Sequence, residues 1–164
     1  MNYIIMKENT NKLKETAQGM TVVFGAFAVF VLLIGAVLPL LDFIKSGDLF
    51  ETVFFKYFGA IVCFASLAIS FIIMSKSLFK ISKEGNPFSE KNIKTFKLSG
   101  KVISHGGFLG SLISNSCKFR LNGTDTVEWE GFGFGLMIGG LIIVMFLELL
   151  RYGSKVQDEL DTIA

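Results

Sequence analysis

The sequence predicts an all-α fold, a four-span antiparallel transmembrane helix bundle that forms one integral membrane domain over residues 1–164. Three observations lead to this prediction. The chain is 51% hydrophobic with a mean hydropathy of +0.57, several stretches are long enough to cross a bilayer, and basic residues collect on one side of them. The high hydrophobic content excludes a disordered chain, and a net charge of only +2 excludes a nucleic-acid binder that works by charge alone.

Three segments are predicted to span the membrane on composition alone. Segments 20–41 and 53–74 each have 18 apolar residues of 22, and segment 131–150 has 14 of 20. Only a helix or a closed barrel satisfies every backbone polar group inside lipid, and segments of this length favour the helix. The first apolar run exceeds the roughly 7–15 residues of a signal-peptide core, so we expect it to remain as an anchor.

A more polar segment, 98–117, is predicted to be the third span. It has only 8 apolar residues of 20 and contains Lys101 and His105. Its larger apolar side chains fall near one helical face: Leu98, Val102, Leu109 and Ile113. We expect it to span because neighbouring helices shield it, and the alternative is an interfacial helix that leaves three spans.

The distribution of lysine and arginine predicts the orientation. The N-terminal segment 1–19, the loop 75–97 and the tail 151–164 hold 11 of the 16 basic residues, whereas segments 42–52 and 118–130 hold 3. Because positive residues stay inside, both termini and the long loop are predicted to be cytoplasmic. The chain is therefore expected to be a multi-pass protein of the cell (plasma) membrane.

The cytoplasmic segments carry recognisable helix boundaries. Gly85 is placed to end the second helix, since glycine adopts the left-handed conformation of a helix stop. Ser89 is a predicted N-cap for the third helix. After Gly153 the tail reads as a separate short amphipathic helix, whose acidic residues would complement the lysines of the loop 75–97.

Three ionisable residues, Lys101, His105 and Glu148, lie at or near membrane depth, and such residues are candidates for function. Lys101 and Glu148 lie at similar depth, so a structural ion pair between two helices is one interpretation. A polar ligand site or proton pathway is a second, and His105 would be its most informative residue. A third interpretation is that the Lys101 side chain simply extends to the membrane–water interface.

Glycine stripes predict where helices pack. Gly131, Gly135 and Gly139 repeat at a spacing of four on the fourth helix, and Gly106 and Gly110 do so on the third. Small residues let helix backbones approach closely in lipid. We expect the third and fourth helices to pack through these faces, with homodimerisation as the alternative.

The inventory of reactive residues predicts no enzyme, no metal and no cofactor. One histidine and two cysteines argue against a structural zinc site. Cys63 and Cys117 are predicted to differ in depth by about 15 Å, too far for a disulfide. The sequence contains no recognisable nucleophile–base arrangement or phosphate-binding loop.

Two short blocks carry a resemblance to a known family. They are GNPFSEKN at 85–92 and LRYGSKVQDELDTIA at 150–164. With the four-span layout, these blocks resemble the bacterial membrane family called domain of unknown function 2975. Members of that family are often encoded beside a small helix-turn-helix regulator.

The resemblance implies a membrane protein without enzymatic activity that binds or sequesters a cytoplasmic transcription factor. We expect no direct contact of this chain with nucleic acid. Whether the chain forms a homo-oligomer is left open by the sequence. An alternative function is a small-molecule, peptide or ion-handling component in resistance, immunity or transport. The matched positions that would form a docking surface are Asn86, Pro87, Phe88, Glu90, Asn92, Gln157, Glu159 and Asp161.

Overall fold

The computed structural model contains four α-helices. They are α1 (Asn2–Ser46), α2 (Phe50–Glu84), α3 (Glu90–Arg120) and α4 (Glu130–Ile163). The structure describes the backbone of residues 2–47, 50–85, 89–120 and 130–163, and the side chains of 10–47, 52–85, 89–117 and 131–153. The prediction of an all-α fold with four helices is confirmed.

Two predicted helix boundaries are confirmed and one is wrong. Gly85 follows α2 with φ of 72°, and its N–H donates to the Ile81 carbonyl at 2.7 Å. The Ser89 hydroxyl accepts the N–H of Asn92 at 3.3 Å, as an N-cap does. Gly153 does not end a helix, because α4 continues through it to Ile163. A glycine inside a helix costs only about 1 kcal/mol, which neighbouring turns can absorb.

The helices pack in chain order, each one antiparallel to the next. α1 packs on α2, α2 on α3 and α3 on α4, while α2 touches α4 only at a few residues that include Phe64 and Phe132. Within the described residues α1 contacts neither α3 nor α4. The bundle is therefore an open row, with α2 and α3 in its centre.

Aromatic and polar contacts join α1 to α2 along their length. Phe24 lies 5.6 Å from Phe71 between ring centroids. The Ser75 hydroxyl donates to the Thr21 carbonyl at 2.9 Å. At the far end of the pair, Lys56 lies 2.9 Å from Asp42. These contacts fix the register of the first two helices.

Small residues form the interface between α2 and α3. A Cβ atom on Gly59 would lie 2.6 Å from the carbonyl oxygen of Gly110, so these backbones are in direct contact. The Ser70 hydroxyl donates to the Ser99 carbonyl at 3.1 Å and crosses the same interface. Close backbone approach and interhelical hydrogen bonds are what hold helices together in lipid, where apolar side chains gain little by meeting.

Among the residues whose side chains are described, three helical segments are long and apolar enough to cross a membrane: Thr10–Ser46, Thr52–Glu84 and Gly131–Gly153. They include the predicted spans 20–41, 53–74 and 131–150. α3 does not belong to this set, but it lies between two helices that do.

α3 buries several small polar residues and exposes several large apolar ones. Ser99 is fully buried, whereas Leu98, Phe108 and Leu109 are each about half exposed. A soluble helix shows the opposite distribution. The neighbours of α3 therefore cover its small polar residues, whereas Lys101 and His105, which also lower its hydropathy, stay exposed.

All four helices extend beyond their apolar segments, and their longer extensions lie at the same end of the molecule. α1 alone has 45 residues, about 67 Å of helix against a hydrocarbon core of about 30 Å. We call these extensions the stem, which consists of residues 2–19 of α1, 75–84 of α2, 90–97 of α3 and 151–163 of α4.

The described part of the stem contains packed residues on α1, α2 and α3. A Cβ atom on Gly85 would lie 2.9 Å from Cε of Lys14, so the end of α2 rests against α1. Ile81 is 3% exposed and Asn92 is 1% exposed. The stem therefore has buried residues of its own on α2 and α3.

Candidate functional site

A network of ion pairs joins α3 to α4 where the stem meets the apolar segments. Glu148 pairs with Lys97 across the two helices, and Arg151 lies 3.9 Å from the same carboxylate. Arg151 also lies 3.3 Å from Glu90, which pairs with Lys94 at 3.2 Å. The network connects the first two turns of α3 to the end of the apolar segment of α4.

The same residues surround a pocket of about 260 Å³ between α3 and α4. It is the most polar of the described cavities, since the other two lie among mainly apolar side chains. Two apolar residues, Ile93 and Leu98, complete its wall. The charged residues that line it are Glu90, Lys94, Lys97, Lys101, Glu148 and Arg151.

The structure brings two of the three predicted intramembrane polar residues to this pocket, but it does not pair them as expected. Glu148 pairs with Lys97, one helical turn before Lys101. Lys101 lines the pocket with an exposed side chain. The predicted pairing of Lys101 with Glu148 is wrong because Lys97 lies closer to the end of the apolar segment of α4.

His105 lies outside the pocket, on the exposed face of α3. Its Nδ1 atom is 2.7 Å from the carbonyl oxygen of Lys101, a contact within one helix. An exposed residue of this kind does not line a path between helices. The described structure therefore gives no geometric support to a proton pathway through His105.

The third and fourth helices do pack through glycines, but not through the predicted ones. Gly131, Gly135 and Gly139 have no other group within 4 Å of an added Cβ atom. They occupy the face of α4 that points away from α3. Gly106 and Gly110 lie against Ser66 and Cys63 of α2, so they pack on α2 and not on α4.

Glycines at a spacing of seven make the contact between α3 and α4. Gly100 and Gly107 of α3 meet Gly140 and Gly133 of α4 in antiparallel order. A Cβ atom on Gly140 would lie 2.5 Å from the carbonyl oxygen of Gly100. A matching heptad spacing on two consecutive helices was the sequence signal that could have identified this interface.

The predicted docking residues fall into three groups. Glu90 is exposed and belongs to the charged network. Asn92 is buried, so its role is structural and its selection as a docking residue is wrong. Asn86, Pro87 and Phe88 lie outside the described residues, as do the side chains of Gln157, Glu159 and Asp161.

The described side chains contain no group of three or more histidine, cysteine or acidic residues that could hold a metal ion. Both cysteines, Cys63 and Cys117, are buried and free, in agreement with the prediction that they do not bond. The charged pocket is thus the part of the described structure where several polar side chains converge.

Reversing the charge of Glu148 is expected to loosen the contact between α3 and α4. The E148K variant should lower the free energy of unfolding in detergent by about 1 kcal/mol, because the new lysine faces Lys97 and Arg151. Adding K97E should recover most of this loss. The control is E84K, whose partner Lys80 lies one turn away on the same helix. A double variant as unstable as E148K alone would contradict the pairing.

Comparison with family models, with curated proteins and with solved structures finds no match to this chain. The resemblance of segments 85–92 and 150–164 to a known family therefore stays a prediction. The function must be inferred from the arrangement of the residues.

Proposed function

We propose that this chain is a four-span membrane protein without enzymatic activity that binds a small cytoplasmic helix-turn-helix regulator through its stem. One observation carries the proposal: every helix extends beyond its apolar segment at the same end of the molecule. Anchoring in lipid needs no such extension, since about 20 residues cross the bilayer. A packed helical extension provides a surface for a partner.

The burial pattern of α3 supports the fourth span. Its serines at 99, 104 and 114 are buried, and its exposed face presents Leu98, Phe108 and Leu109 together with Lys101 and His105. The neighbouring helices therefore shield the small polar residues of α3 from lipid. The position of α3 between α2 and α4, which are both long and apolar enough to cross, supports a crossing by α3 as well.

The charge distribution supports a cytoplasmic stem. Lys76, Lys83, Lys91 and Lys94 are exposed on the described part of the stem. Positive residues next to membrane spans favour the cytoplasmic side. A lysine-rich surface favours an acidic face of the partner, and this complementarity speeds association more than it tightens binding.

A cysteine-labelling map tests the topology. In a background with Cys63→Ala and Cys117→Ala, single cysteines replace Lys45, Lys83 or Lys155. A membrane-impermeant maleimide added to intact cells is expected to label only the variant at position 45. Labelling at position 155 but not at 83 would show that α3 does not cross and would overturn the four-span arrangement.

Co-purification tests the partner. The full chain in detergent is expected to retain a small helix-turn-helix regulator that is co-expressed with it. Deleting residues 154–164, or changing Lys76 and Lys83 to Glu, should reduce binding at least tenfold. The control is Lys45→Glu, at the other end of the molecule, which should leave binding unchanged. Binding that is absent from the intact protein, or that survives the tail deletion, contradicts the docking proposal.

A further inference from the structure

The pocket between α3 and α4 has more positive than negative charge. Its lining contains four cationic and two anionic side chains. Each carboxylate is already engaged: Glu90 by Lys94 and Arg151, and Glu148 by Lys97 and Arg151. The internal ion pairs therefore leave a net positive pocket that attracts an anion.

Lys101 is the cation of the pocket that the network does not use. Its side chain is exposed, and no carboxylate in the described part of the chain forms an ion pair with it. It lies one turn deeper than Lys97, just inside the predicted span 98–117. A free ammonium group at this position has three donors to offer a ligand.

The position of the pocket in the molecule indicates which class of anion it binds. Lys97 and Arg151 belong to the stem, whereas Leu98 and Glu148 lie within the predicted spans 98–117 and 131–150. The pocket therefore lies across the boundary between the stem and the predicted spans. In a membrane that boundary is the level of the lipid headgroups. Exposed apolar side chains also lie further along both helices, among them Phe108, Leu109, Ile142, Met145 and Leu149, and on α3 the exposed Lys101 and His105 lie between Leu98 and Phe108.

We infer that this pocket binds the phosphate group of an anionic phospholipid, with Lys101 as the residue that contacts it and the acyl chains lying along the apolar faces of α3 and α4. Basic pockets between membrane helices on the cytoplasmic side are suited to anionic headgroups. The inference uses the four-span arrangement of the proposed function but does not depend on the regulator.

Native mass spectrometry of the full chain in a neutral detergent tests this assignment, because a neutral micelle removes the general attraction of an anionic surface. Phosphatidylglycerol is expected to bind more tightly than phosphatidylcholine. Lys101→Gln should weaken the binding of phosphatidylglycerol about tenfold, because the substitution removes one hydrogen bond to a charged group. Lys94 is a second exposed residue of the pocket, and Lys94→Gln should weaken the binding of phosphatidylglycerol to a smaller extent.

The matched control is Lys12→Gln, an exposed lysine of the stem on α1 that does not line the pocket. It should leave lipid binding unchanged. An equal loss in the Lys12 and Lys101 variants would overturn the inference, and so would equal binding of the two lipids. Displacement of phosphatidylglycerol by millimolar inorganic phosphate would assign the pocket to a free anion and overturn the lipid assignment. The cysteine-labelling map tests the four-span topology, and the co-purification tests the binding of the regulator. Failure of either proposal can therefore be distinguished from failure of the lipid assignment.

Discussion

Alanine at Gly140 is expected to destabilise the protein by about 3 kcal/mol, whereas alanine at the adjacent Gly139 leaves stability unchanged or slightly improved. The added methyl group at Gly140 would lie 2.5 Å from both the Gly100 carbonyl oxygen and the Ser104 nitrogen. Both are backbone atoms and cannot rotate away, so α3 and α4 must separate. At Gly139 the same methyl group meets nothing within 4 Å.

The measurement is the free energy of unfolding of both variants in mixed detergent micelles titrated with a denaturing detergent. Because the two substitutions are chemically identical and one residue apart, differences in helix propensity cancel. Equal loss at both positions would show that α4 is rotated relative to the structure. A neutral result at Gly140 would contradict the close contact of the two backbones.

Leucine at Cys63 is expected to destabilise the protein by about 3 kcal/mol, while alanine there costs about 1 kcal/mol. Cys63 is completely buried. Its sulfur lies against Gly110 of α3 and would be 3.2 Å from a Cβ atom on Gly133 of α4. A larger side chain therefore forces apart three helices at once.

Thermal unfolding followed by size-exclusion chromatography measures this effect. Maleimide reactivity offers a second readout, because the buried Cys63 thiol should react only after unfolding. The alanine variant separates side-chain volume from sulfur chemistry. If leucine is tolerated as well as alanine, the three-helix contact at Cys63 is absent.

The first, second and fourth helices could be predicted because each has an apolar segment of sufficient length with at most one charged residue. α3 illustrates where hydropathy stops being informative. Ser99, Ser104 and Ser114 are polar and would argue against burial, yet all three are buried. Their small size, which hydropathy does not measure, lets α3 approach its neighbours.

Helix faces were harder to predict than helix positions. The spacing of four at Gly131, Gly135 and Gly139 looks like a packing stripe, but the structure leaves that face open. Whether a glycine is covered depends on the partner helix, and one helix read alone does not contain that information. For the same reason the sequence predicts an ion pair of Glu148 with Lys101, whereas in the structure Glu148 pairs with Lys97.

The serial packing of the helices has a consequence for biogenesis. α3 is covered on one side by α2 and on the other by α4, which is synthesised after it. In the proposed four-span arrangement, the serines and glycines of α3 that later contact α4 are exposed to lipid or to the translocon until α4 is synthesised. Membrane integration of α3 is then expected to be completed only after translation of α4, and a chain that stops in the segment before α4 is expected to leave α3 half-covered and open to quality-control proteolysis.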